Sequence, residues 1–210
     1  MAPPRRRPLA GSDVVIEIDL VLFDRDGTLV HDVPYNGEPD LVRPVDGARE
    51  ALDSLRARGI GTGVVTNQSG IARGLLSTAD VRRVNERIDA LLGPFDMWAV
   101  CPHGPDDGCH CRKPRPGMIL RAADRLRTPT ERIAVIGDIG ADVEAASRAG
   151  ALGVLVPTAQ TRPEEIAAAE HVARDLSTAV RTVLSQRPSG RFPVGRRPVT
   201  AAHEITGSIR

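Results

Sequence analysis

Two aspartates two residues apart, Asp24 and Asp26 in the run Phe23-Asp24-Arg25-Asp26-Gly27-Thr28, are the first residues in this chain able to do chemistry. A free carboxylate titrates near 4, so Asp24 is ionised at neutral pH and can attack without a base. Its obstacle is the negative charge of a phosphate electrophile. A divalent cation removes that obstacle, and hard oxygen ligands select magnesium. Asp26 can stand beside the reacting group, give a proton to the leaving oxygen, and later take one from the water that hydrolyses an aspartyl-phosphate. The same run also fits a polar Asx turn or a calcium-loop fragment, so the surrounding residues must decide.

Three further groups bear on that choice. Thr66, followed by Asn67-Gln68-Ser69-Gly70, offers a hydroxyl and successive backbone N–H groups suited to phosphoryl oxygens, or simply a capped turn. Lys113, after Arg112, is suited to neutralising a transferring phosphoryl group, and Arg112 to gripping a second phosphate bidentately; such a pair is also ordinary on a solvated surface. Asp138 follows Gly137 and would complete a magnesium site. Asp142, four residues on, is either an outer partner of that site or a favourable charge in a helix first turn, the better reading of an isolated Asp.

Cys101, His103, Cys109 and Cys111 form a separate set. Three thiolates and one imidazole make a closed tetrahedral zinc site with no vacancy for substrate, hence a structural one. It uses every cysteine of the chain. His110 is an alternative fourth ligand, although the Cys-x-His spacing favours His103. Such a site would stiffen a Gly/Pro/Asp loop and aim Arg112 and Lys113.

The elements that must position these groups follow from hydrophobic patterning. Short β-branched runs predict strands at Ile18–Phe23, Ile60–Thr66, Asp96–Cys101, Ile133–Gly137 and Gly153–Val156. Between them lie amphipathic stretches that predict helices at Gly47–Arg58, Thr78–Leu92, Pro116–Arg127, Ala141–Ala149 and Pro163–Ala169, with a last one near Ser177–Leu184. Ser77 or Thr78 suits an N-cap, and Gly59 and Gly150 suit helix stops. Alternation of this kind predicts an α/β fold, a three-layer Rossmann-like parallel sheet flanked by helices. Three of the five predicted strands end in Asp24–Thr28, Thr66–Gly70 and Gly137-Asp138. In open parallel sheets ligands bind beyond the carboxyl ends of the strands, so this coincidence favours a site over three unrelated turns. The spacing leaves no room for a large cap domain.

Composition bounds the rest. With 210 residues, 41% hydrophobic and 26% charged, the chain suits one soluble domain. Aromatics make up 2%, so aliphatic residues must build the core, and base-stacking nucleic-acid surfaces are not expected. No stretch approaches a membrane span, and Glu17 and Asp19 interrupt the apolar run that follows the N-terminal arginines. A cytoplasmic monomer is expected. Arg5 to Arg7 and Arg187, Arg191, Arg196, Arg197 and Arg210 lie in Pro/Gly-rich ends, leaving the middle net acidic. Residues 1–12 and 187–210 are therefore expected to be disordered basic segments around a domain at 13–186.

Together the elements resemble the haloacid dehalogenase (HAD) superfamily of phosphohydrolases, whose four motifs match Asp24-x-Asp26, Thr66, Lys113 and Gly137-Asp138 in order. The Cys-x-His…Cys-x-Cys-Arg-Lys-Pro loop is similar to that of its zinc-loop group, with branches acting on a heptose bisphosphate and on histidinol phosphate. Thr66-Asn67-Gln68-Ser69-Gly70-Ile71-Ala72-Arg73-Gly74 and Cys111-Arg112-Lys113-Pro114 resemble the heptose branch. The resemblance implies Asp24 as nucleophile, Asp26 as acid/base, and magnesium held by Asp24, Asp138 and the Asp26 carbonyl. It also implies that Thr66 and Lys113 stabilise the phosphoryl group, while Asn67, Gln68, Ser69 and Arg112 contact a small phosphorylated sugar. The stretch Asp32–Tyr35 aligns with the flap over the sugar. The flap sequence and Ile139 depart from the family pattern, and a histidinol-phosphate or broad sugar-phosphate phosphatase is the alternative substrate assignment. An inactive phospho-ligand-binding protein is a more distant one.

Overall fold

In a computed structural model, residues 17–185 are described together with the backbone of 203–205; the expected basic ends otherwise lie outside the described residues. The strands are β1 (Leu20–Phe23), β2 (Gly61–Asn67), β3 (Met97–Cys101), β4 (Ile133–Gly137), β5 (Leu152–Leu155) and β6 (His203–Ile205). The helices are α1 (Ala48–Arg56), α2 (Thr78–Leu92), α3 (Gly117–Leu126), α4 (Gly140–Ala149), α5 (Pro163–Ala168) and α6 (Leu176–Ser185). Every predicted element is present, with ends shifted by at most two residues. Ser77 is the α2 N-cap, in a reciprocal capping box with Asp80, and Gly150 closes α4 in the left-handed region.

The strands run parallel in the order β5-β4-β1-β2-β3-β6. β6 was not among the five predicted strands and lies inside the segment expected as an unstructured tail. That expectation is corrected for these three residues, whose backbone pairs with the otherwise open edge of β3.

Period-two alternation divides the core into the expected three layers. Val21, Phe23, Val64, Trp98 and Ile136 face α1, α2 and α6, while Leu20, Leu22, Val65, Ala99 and Val135 face α3 and α4. Aliphatic side chains supply most of both layers; Phe23, Phe95 and Trp98 are the large aromatics among the fully buried residues. Burying a side chain of this size contributes roughly 1.5–3 kcal/mol. Among the described residues no helix is long and apolar enough to cross a membrane.

Chain order fixes the functional edge. From β1 the chain steps outward to β2 and β3, then returns to β4 on the other side of β1 and moves out to β5. β1 is thus the strand at which direction reverses, and its carboxyl end is where such sheets bind ligands.

Candidate active site

Asp24 follows β1 directly, and its N–H donates to the Ile136 carbonyl of β4 at 2.9 Å. Gly27 then turns the chain at φ +78°, a conformation that disfavours side chains, and a Cβ there would stand 2.3 Å from Asp138 Oδ2. A glycine is therefore required both by the backbone and by the carboxylate packed against it. Asp138 extends from β4 beside Thr28, whose hydroxyl donates to Oδ1 at 3.4 Å, while the Thr161 hydroxyl donates to the Asp138 carbonyl at 2.5 Å.

Lys113 is almost entirely buried, and its ammonium is held by three oxygens. It donates to Asp24 Oδ1 at 2.6 Å, to the Val65 carbonyl at 2.9 Å, and pairs with Asp142 Oδ1 at 2.5 Å. Burial pulls the ammonium down, but Asp142 and Asp24 outweigh it and hold it above the usual lysine range. Asp142 is 0% exposed, and its other oxygen accepts from the Ile139 N–H. Gly137 makes room for it: a Cβ there would lie 2.2 Å from the Asp142 Cγ. Asp142 is thus both the acidic residue of the α4 first turn and the buried counter-ion of Lys113, the second role being one that its position in the helix does not show. A charge so far from water requires a partner, and the lysine is that partner.

Asp24, Asp138 and Asp142 each place one oxygen within 4.8 Å of the others. Burial, followed by the neighbouring carboxylates against the relief from Lys113, raises Asp24 well above the ordinary range. Burial and Asp142 push Asp138 up to about 7. Such crowding of hard anionic donors is what a divalent cation relieves. Lys113 and the Ile139 N–H engage the two oxygens of Asp142, while Asp24 and Asp138 offer carboxylate oxygens that could hold a cation. The donor set fits magnesium.

Asp26 is held by a different set of partners. Gln68 Nε2 donates to its Oδ2 at 2.8 Å and also to the Thr66 hydroxyl at 3.0 Å, linking the proposed acid/base to the end of β2. Arg25 holds the same carboxylate from its other side. Asn67 forms a reciprocal pair with the Lys113 backbone, at 3.2 and 3.1 Å. The amides of Asn67 and Gln68, expected to touch substrate, here brace the lysine loop and Asp26. Ser69 is half-buried in the following turn, where its carbonyl accepts from the Arg73 N–H.

Asp32 and Tyr35 lie on an exposed segment. Asp32 lines a cavity of about 360 Å³ with Gly27, Thr28 and Thr158, and Asp24, Asp26, Thr66, Lys113 and Asp138 are not among its lining residues. Tyr35 accepts from Arg73 Nη1 at 2.6 Å, with the guanidinium 5.7 Å from its ring centre, so the flap is clasped to the loop after β2. A larger cavity of about 1050 Å³, between α4, β5 and α5, contains none of the catalytic candidates.

The cysteine loop closes on itself. Cys101 Sγ lies 3.6 Å from His103 Nδ1, 3.8 Å from Cys109 Sγ and 3.3 Å from Cys111 Sγ, and Cys111 Sγ lies 3.3 Å from His103 Nδ1. Tetrahedral sulfur and nitrogen ligands at zinc distances stand about 3.5–3.8 Å apart, close to these separations, so the four donors fit one ion. His103 lies within the set, whereas His110 is exposed and outside it. Arg112 rides on this loop: its N–H donates to Cys109 Sγ at 3.4 Å and its Nη1 to the His103 carbonyl at 3.3 Å.

Residues with no role assigned from the sequence are also part of the site: Arg25, Thr28, Asn85, Thr161 and, as a partner of Lys113, Asp142. The only sequence signal for Asn85 was a polar residue on the apolar stripe of α2.

Comparison with known proteins agrees with this geometry. The HAD-hydrolase-like family model matches residues 110–179. The D-glycero-beta-D-manno-heptose-1,7-bisphosphate 7-phosphatase of Pseudomonas putida is 39% identical over 144 residues, 66% of this chain and 82% of that protein. The enzyme of the same name from Escherichia coli K12 is 34% identical over 183 residues, 81% of this chain and 96% of that protein. Among solved structures, D,D-heptose 1,7-bisphosphate phosphatase from B. bronchiseptica, complexed with magnesium and phosphate, matches with a TM-score of 0.72 at 31% identity. That match covers 81% of this chain and all of the other.

Proposed function

The chain belongs to the HAD-type phosphatases, and within that family we propose that it removes the 7-phosphate of D-glycero-D-manno-heptose 1,7-bisphosphate. The observation that carries the chemistry is the buried Asp24–Lys113–Asp142 chain beside Asp138, at the strand where the sheet reverses direction. The substrate rests on the likeness to relatives of that name over two thirds or more of their length. A small phosphorylated sugar is the substrate class that this likeness implies, with Asp32, Tyr35 and Arg112 as its expected contacts. The same reading takes the protein to be a cytoplasmic monomer with no nucleic-acid or membrane partner.

Asp24 and Asp138 would hold a magnesium ion through their carboxylates and Asp26 through its carbonyl; when bound, the ion screens phosphate charge from the nucleophile. The free Asp24 oxygen attacks phosphorus. As the new O–P bond forms, the bond to the sugar oxygen breaks, and that oxygen leaves with the electron pair and takes a proton from Asp26. Water then attacks the aspartyl-phosphate and gives a proton to Asp26, and the Asp24–phosphorus bond breaks to restore the carboxylate. Thr66 and Lys113 bind phosphoryl oxygens through both steps. Asp142 keeps Lys113 charged and placed when Asp24 is no longer its counter-ion. A structural zinc in the Cys101–His103–Cys109–Cys111 loop would hold the backbone from which Arg112 and Lys113 project.

The test is a steady-state comparison over sugar and amino-alcohol phosphates. We expect kcat/KM on the heptose bisphosphate to exceed that on histidinol phosphate by at least ~100-fold, about 2.7 kcal/mol in transition-state binding. Comparable values would assign a broad phosphatase instead.

A further inference from the structure

We infer that Arg25 and Asn85 are positioning residues for Asp26: the guanidinium clamps the carboxylate, and the amide on α2 anchors the guanidinium. Arg25 is 1% exposed, unusual for an arginine beside an open site. Its Nε reaches both Asp26 oxygens, at 3.1 and 3.0 Å, and its Nη2 reaches Oδ2 at 2.9 Å. Its Nη1 donates to Asn85 Oδ1 at 2.9 Å. Asn85 lies among Val81, Val84, Ile88 and Leu92, the other buried residues of α2. A polar side chain on that stripe would be destabilising without a partner, and Arg25 is the partner it has.

An exposed ion pair between neighbouring residues would carry little weight. Here the guanidinium is buried and its planar donors are matched to a carboxylate and a fixed amide, so its orientation is set by the core. Asp26 itself remains partly open, with 26% of its side chain exposed. The clamp therefore links the packed face of α2 to a partly exposed carboxylate, and Gln68 completes the grip from β2. Arg25 need not touch substrate; it acts by confining Asp26 to the rotamer from which a proton can be delivered.

This inference rests on Asp26 being the acid/base, and the experiment separates the two. kcat/KM reports phosphoryl transfer up to release of the leaving group, so it is measured on the heptose bisphosphate, whose alkoxide needs a proton, and on an aryl phosphate, whose phenolate does not. General acid catalysis contributes roughly 10²–10⁴-fold, so Asp26→Asn is expected to lose that much on the sugar and far less on the aryl ester. Arg25→Met and Asn85→Leu are expected to lose on the order of tenfold on the sugar and under about threefold on the aryl ester, the difference being misplaced proton delivery. In an Asp26→Asn background the effect of either change should vanish, because groups acting through one another are not additive. Equal losses on both substrates, or full additivity with Asp26→Asn, would overturn the positioning role. If Asp26→Asn itself shows no leaving-group dependence, the acid/base assignment fails instead. Asn85→Leu places an apolar side chain of similar size on an apolar helix face, so it supplies the result even where Arg25→Met does not fold.

Discussion

Metal-free protein should lose stability as pH rises from 5 to 8, and magnesium should restore it. Asp138 is held at about 7 in the folded state against an ordinary 3.8, chiefly by burial and then by Asp142. A carboxyl whose folded value is raised binds its proton more tightly folded than unfolded. It therefore imposes no penalty below about pH 4, a growing one as pH rises toward 7, and a constant one above. Of that span, about two pH units lie between 5 and 8, and at about 1.4 kcal/mol per unit the expected loss is about 3 kcal/mol. Asp24, raised by burial, shifts the balance in the same direction. Lys113 is held above its usual range and keeps its proton throughout, so it adds no slope in this window. The assay is urea unfolding at half-unit pH intervals, with zinc retained and magnesium absent or at millimolar concentration. Magnesium should stabilise the protein more at pH 8 than at pH 5 by a comparable amount, because protons compete for the same oxygens. Asp138→Asn should flatten the magnesium-free profile. Stability that is level or rising from pH 5 to 8 without magnesium, or an equal magnesium effect at both ends, would refute the reading of these carboxylates as a strained cation site.

Asp24→Asn should abolish magnesium-dependent hydrolysis of an aryl phosphate in protein shown to be folded; residual turnover above background would remove Asp24 as nucleophile. Cys109→Ser should lower the zinc content, measured by elemental analysis, from about one per chain toward none. It should also lower the melting temperature more than it alters chemistry in the fraction that remains folded. Gly137→Ala forces a methyl group against Asp142 Cγ at 2.2 Å, so Asp142 must move away from Lys113. Overpacking of this kind costs about 1–3 kcal/mol, read by denaturant unfolding, and activity should fall with it.

Much of this protein is determined by its sequence alone. For five strands and six helices, periodicity settles the order and, to within two residues, the ends, because burying one face of a helix or strand dictates where apolar side chains recur; β6 escaped it. Asp24, Thr66 and Asp138 can be assigned to one sheet edge because each ends an apolar run, and parallel strands bring their carboxyl ends together. The Cys/His quartet is legible as a candidate metal site because three thiols and an imidazole within eleven residues have few other uses. Tertiary structure decided which of several polar residues partner one another. Asp142 reads as a helix-start charge until α4 packs on β4 and buries it against Lys113, twenty-nine positions earlier in the chain. Arg25 reads as a spacer between two aspartates until α2 brings Asn85 to it across sixty residues. Asn67 and Gln68 lie in a motif that resembles substrate-binding sequence, yet their amides brace the Lys113 loop and Asp26. The reason is common to all three cases. Periodicity records which side faces the core, but a buried charge must find its counter-charge wherever the chain's packing delivers one, and that pairing leaves no regular mark on the sequence.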